Sequence, residues 1–162
     1  MCRCSHNHSR RAVLAMLVAT PVVAACKPKK EGPEPIRWGR ETCEICGMII
    51  SDPRYGAEIR GGVDRKLVKF DDIGDAVHWL DMQDWKNDPD IEFWVMDSNN
   101  GEDWLDARTA YYHPDTVSPM DYGFAAVPSA EPGTVRFDEM VDTVMRRGLS
   151  SRCLPVEEVA LK

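Results

Sequence analysis

The sequence predicts a small α+β fold made of two similar ββαβ-like units, and three observations lead there. The chain has 162 residues, 43% of them hydrophobic and 29% charged, enough for one globular domain or two very small ones. Strand and helix signals mix without the regular alternation that a doubly wound parallel sheet needs. The body also repeats itself: Tyr55-Gly56 returns 67 residues later as Tyr122-Gly123, and Phe70-Asp71-Asp72-Ile73-Gly74-Asp75-Ala76-Val77 returns at the same offset as Phe137-Asp138-Glu139-Met140-Val141-Asp142-Thr143-Val144, with four identities in eight.

Taken in order, the first 25 residues read as a signal peptide. Arg10 and Arg11 precede an apolar run, Ala12 to Ala25, that is too short to span a bilayer and ends in small residues. The run closes on Val23-Ala24-Ala25-Cys26, which resembles the lipobox of bacterial lipoproteins and makes Cys26 the expected lipidated first residue of the mature chain. Ser9-Arg10-Arg11-Ala12-Val13-Leu14 resembles a twin-arginine signal with Val in place of the usual Phe, so the choice between general and twin-arginine export stays open. Cys2, Cys4, His6 and His8 form a soft-ligand tract, but one that processing would discard. The protein is thus expected to be exported, periplasm-facing and anchored to a bacterial membrane, expected to be the outer one.

Residues 26–39 are proline-rich and polar, without an apolar period, and predict a flexible tether with the folded part beginning near Arg37. A dozen extended residues would hold the domain up to about 40 Å from the lipid. Lys27, Lys29 and Lys30 are placed to rest on anionic headgroups.

Residues 40–97 form the expected first unit, with strands over 54–60 and 66–70, a helix from 72 to 82 and a strand at 91–96. Ile73, Val77 and Leu80 have helical spacing behind an Asp cap. Residues 98–148 form the second unit: a strand from Trp104 to Tyr112 leading into a loop, a strand of small residues from Tyr122 to Val127, and a helix from 134 to 147 ended by Gly148. The tail, 149–162, carries no strong signal. Trp79, Trp94 and Trp104 read as core or partner surface, and Met82, Met96, Met140 and Met145 as packing.

Acidic residues outnumber basic ones 27 to 20, a net charge of -7; removing residues 1–25 takes away Arg3, Arg10 and Arg11 and no acids, leaving 17 against 27, or -10. Nucleic acid is excluded as a partner, because no basic surplus remains to neutralise its phosphates. Six cysteines are too few for a disulfide-built scaffold.

The chemistry concentrates at Cys43-Glu44-Ile45-Cys46-Gly47-Met48, a C-x-x-C pair with a thioether two residues on. Two thiolates and a thioether are soft donors that match Cu(I) and offer nothing to calcium or magnesium. Zinc accepts thiolates too, but a closed structural zinc site wants four ligands and no second ligand pair occurs. In an exported chain a structural disulfide or a redox couple is the lesser alternative for the pair. Thioredoxin-like catalysis fits less well, because Glu44 places a negative charge between the sulfurs and would raise their pKa. No nucleophile, base and oxyanion set is visible, so hydrolysis has no support.

Cys43-x-x-Cys46-Gly47-Met48, Phe70-Asp71-Asp72, Trp104-x-Asp106-Ala107 and Pro119-Met120-x-x-Gly123-x-Ala125, in this order behind the lipoprotein signal, resemble the NosL family of nitrous-oxide-reductase accessory lipoproteins, over most of residues 40–140. The resemblance implies a Cu(I) metallochaperone, not an enzyme, that supplies the copper centres of nitrous-oxide reductase together with a NosDFY-type membrane complex. It implies a fold of two ββαβ units related to organomercurial lyase. Cys46 and Met48 match the motif most directly, with Cys43 as the second thiolate and Met120 as a candidate distal thioether. His113, 67 residues after Cys46, is a further candidate donor, and Cys153 falls outside the matched blocks. The competing expectation is a periplasmic thiol-redox or organomercurial-lyase-like enzyme.

Overall fold

The computed structural model describes residues 30–150. The expected signal peptide, Cys26 as the expected lipidated residue, Cys153 and the tail beyond residue 150 lie outside the described residues. The fold is α+β, with two antiparallel sheets and two helices. No helix among the described residues is long and apolar enough to cross a membrane.

The first sheet contains β1 (Ala57–Gly61), β2 (Lys66–Phe70), β3 (Glu92–Met96) and β4 (Trp104–Asp106) in the order β2-β1-β3-β4. β1 and β2 form a hairpin in the register Ala57 to Phe70 and Gly61 to Lys66. Its turn needs a left-handed backbone at Gly62 and Arg65. β2 alternates, with Val68 and Phe70 inward, and runs directly into helix α1 (Ile73–Asp81). Asp72 caps α1 by accepting the Gly74 N–H at 2.9 Å, and Asp75 adds a negative charge in the first turn.

β1 is buried on both faces. Ala57 and Ile59 join the core; Glu58 and Arg60, on the other side, are covered by the segment that precedes the sheet. There the Gly32 N–H donates to Glu92 Oε2 at 2.8 Å, the Glu34 N–H donates to Glu58 Oε2 at 2.8 Å, and Arg60 donates to the Gly32 carbonyl at 3.0 Å and pairs with Glu34 at 3.2 Å. Ile36 is buried. Among the described residues, contacts with the sheet therefore begin at Gly32 rather than near Arg37, and the part of the expected 26–39 tether from Gly32 to Ile36 is held to it.

The second half departs from the expected layout. The strand expected over 104–112 breaks at a turn, where Asp106 accepts the Thr109 and Ala110 N–H groups on its carbonyl and the Arg108 N–H on its side chain. β4 thereby joins the first sheet, and β5 (Tyr111–His113) becomes the centre of a second, between β6 (Ala125–Val127) and β7 (Val135–Arg136). Helix α2 (Phe137–Arg147) starts after β7 and ends at Gly148, which has a left-handed φ of 72°. No strand follows α2 among the described residues, so the order strand, strand, helix, strand is present in the first half only. The helices pack on one another, and Val77 of α1 with Met140 and Val144 of α2 close the core.

Candidate metal centre

The C-x-x-C segment is a tight loop closed by an antiparallel bridge between Thr42 and Ile49. The Cys43 N–H donates to the Met48 carbonyl at 2.8 Å and the Gly47 N–H to the Cys43 carbonyl at 3.0 Å. Gly47 has a φ of 70°, a left-handed conformation that turns the chain back between Cys46 and Met48. Two further bonds fasten the loop to the junction of β2 and α1: the Glu44 N–H to the Lys69 carbonyl at 2.9 Å, and the Ser51 N–H to Asp71 Oδ1 at 3.0 Å.

That attachment sets the loop against the first turn of α1. Cys43 Sγ donates to Asp75 Oδ2 at 3.2 Å, and Cys43, Cys46 and Asp75 each offer a ligand atom within 4.8 Å of the other two. Cys43 is 2% exposed, Asp75 is fully buried and Cys46 is half-buried, so the cluster opens on the Cys46 side. Both thiols are free. The side-chain hydrogen bond with Cys46, then burial, then the nearby Asp75 charge push the Cys43 thiol far above the usual range. Glu44 has no part in this, because its carboxylate is turned outward to Lys66 at 3.0 Å. Without metal, Cys43 is therefore a protonated thiol, and a metal ion must displace that proton.

Acids crowd the same end of α1. Burial pushes Asp72 up to about 6, against hydrogen bonds from Ser118, Gly74 and Met120 that lower it. Burial raises Asp71 as well, opposed by the Ser51 N–H.

The other sequence-derived candidates have varied surroundings. Met48 is 43% exposed on the open side, two residues from Cys46. Met120, the candidate distal thioether, is 1% exposed and packs in the main core. Its N–H donates to Asp72 Oδ2 at 3.0 Å, which fastens its backbone to the helix end that carries Asp75. His113 lies on β5 with its Nε2 2.9 Å from Glu131 Oε2.

Asp75 is the site residue that sequence reading did not single out. The signal was present: an acid between Ile73 and Val77, in a helix whose apolar spacing buries that region, needs a partner to be tolerated. Its counterpart at the 67-residue offset, Asp142, is exposed on α2. No family model matches the chain, and no curated protein matches it.

Proposed function

We propose that the chain is an exported, lipid-anchored Cu(I) chaperone of the NosL type, which takes copper on Cys43 and Cys46 with Met48 in attendance. It passes the ion to a NosDFY-type membrane complex for the copper centres of nitrous-oxide reductase. The observation that carries this reading is the pair of free thiols in one loop, one enclosed and one half-open, beside an exposed thioether. Soft donors on an open edge let a recipient's donors enter one at a time, and copper is cargo here, not a resident cofactor. Met120 as a further thioether ligand belongs to the proposal and would require the core around it to open.

Asp75 adds a hard donor, the one ligand of the cluster that favours Zn(II) over Cu(I). The same cluster supports a second reading, an organomercurial-lyase-like or thiol-redox enzyme, because two thiols can hold a soft metal while a buried acid manages a proton beside them.

The test is a competition titration of the reduced full chain with Cu(I) and Zn(II) chelators, with Cys46→Ser, Met48→Ala, Met120→Ala and Asp75→Asn alongside. One Cu(I) per chain, lost in Cys46→Ser and weakened in Met48→Ala, is the expected result. Cu(I) binding indifferent to Cys46 and Met48 overturns the chaperone reading; thiol-dependent turnover of an organomercurial would install the enzyme instead.

A further inference from the structure

Away from the thiol cluster, a concavity of about 420 Å³ is lined by Pro35, Ile36, Trp38, Met96, Gly101, Glu102 and Trp104. Two indoles, a thioether and aliphatic carbon make its lining, no basic residue is among them, and Glu102 supplies the negative charge. Glu102 is exposed and forms no ion pair among the described residues.

Both indoles are set in place by the fold. A Cβ on Gly56 would lie 2.7 Å from Trp38 Cη2, so this ring rests directly on the Gly56 backbone, and glycine is required there for it to do so. The same Gly56 accepts the Met96 N–H on its carbonyl at 3.0 Å. Met96 on β3 is in turn the strand partner of Trp104 on β4. Gly56, from the repeated Tyr-Gly pair, thus ties Trp38, Met96 and the strand carrying Trp104 into one rigid frame, and a preorganised pocket loses little on binding.

From these features we infer that the Trp38–Trp104 pocket binds a quaternary ammonium group. Indole faces attract a cation through their quadrupole, and the unpaired carboxylate adds a charge partner. A primary ammonium would leave N–H donors unsatisfied against indole and thioether, whereas a trimethylammonium has none to satisfy and presents an apolar surface to those walls. The group can belong to a free small cation such as choline or to a phosphatidylcholine headgroup. This inference stands apart from the metal centre and does not depend on it.

The test is an NMR titration of the full chain with choline, following the indole N–H signals of Trp38 and Trp104, with neohexanol, the uncharged carbon isostere of choline, run in parallel. Choline should perturb both signals saturably and bind roughly tenfold more tightly than neohexanol. Trp104→Ala should weaken choline roughly tenfold, and Glu102→Gln, at an exposed position that leaves the fold intact, roughly threefold to tenfold. With the site so established, displacement of choline by phosphatidylcholine vesicles but not by phosphatidylglycerol vesicles makes the ligand the lipid headgroup, and no displacement makes it a free cation. Equal binding of choline and neohexanol, no saturable binding, or choline binding unchanged in Glu102→Gln and Trp104→Ala overturns the inference.

Discussion

Cys43 Sγ and Asp75 Oδ2 lie 3.2 Å apart, a bond that joins residues 32 positions distant in the chain. It welds a thiol-bearing loop to the first turn of a helix, and so couples the protonation of the loop to an acid that the loop's own motif does not contain.

Removing the influences on Cys43 should lower its pKa in a definite order. Cys46→Ala, which deletes the largest contribution, should move the thiolate onset further down than Asp75→Asn, which deletes a lesser one, and Glu44→Gln should leave it in place. The Cβ chemical shift of Cys43, followed by NMR across pH, reads all three. An onset moved most by Glu44→Gln would contradict the geometry.

Cu(I) affinity should rise with pH. The Cys43 thiol is held protonated, so binding expels at least one proton, and the apparent affinity should gain about tenfold per pH unit for each proton displaced. Competition titrations at several pH values measure the slope. A flat profile would mean that the thiols are not ligands.

Glu58 should make the fold less stable as pH rises. Burial lifts its carboxyl from 4.5 to about 7, so between those values the native state holds a proton that the unfolded chain has lost. The stability Glu58 contributes is fully present below about pH 4.5 and is lost as pH rises through about 7. Glu58→Gln, which cannot ionise, should gain on the wild type across that window by an amount on the order of 3 kcal/mol, reduced by the loss of the Lys69 contact. Urea unfolding of both proteins from about pH 4 to about pH 8 gives the difference, and parallel curves would refute it.

Gly74→Ala should destabilise the protein despite improving helix propensity. Alanine gains at most about 1 kcal/mol in a helix over glycine. A Cβ at this position, however, would lie 2.1 Å from Tyr122 Cγ, at the base of a ring that is itself 2% exposed, so the overlap is not with the far end of a flexible side chain. Overpacking of this kind costs about 1 to 3 kcal/mol or more, so the net change should be a loss, read from the urea midpoint.

Much of the first half was legible because its signals are local and strong. β2, α1 and β3 coincide closely with the segments at 66–70, 72–82 and 91–96, where alternation, an Asp cap and helical spacing each act over a few residues, while β1 starts three residues later than the segment at 54–60, behind a 3-10 turn at Pro53–Tyr55. The thiol pair was legible for the same reason. Asp75 was not, because its role comes from a loop 32 residues earlier. The Gly32–Ile36 stretch was misread for a related reason: it attaches through backbone groups to Glu58, Arg60 and Glu92, and charged residues alternating along β1 look like a solvent face until something covers them. The break at Asp106 hid in a side chain that serves equally well in a strand or in a turn.

The clamp at Gly32 also bears on how far an anchored fold could reach. If the proposed lipid sits on Cys26, six residues of covalent reach, roughly 20 Å, separate anchor and fold, half the distance that a tether running to residue 39 would allow. On that proposal, the anchor would keep the loop bearing Cys43 and Cys46 within a short covalent reach of the bilayer. Its encounters would then be collisions between molecules drifting in one plane, and a recipient embedded in that membrane would meet it far more often than one dissolved in the space beyond.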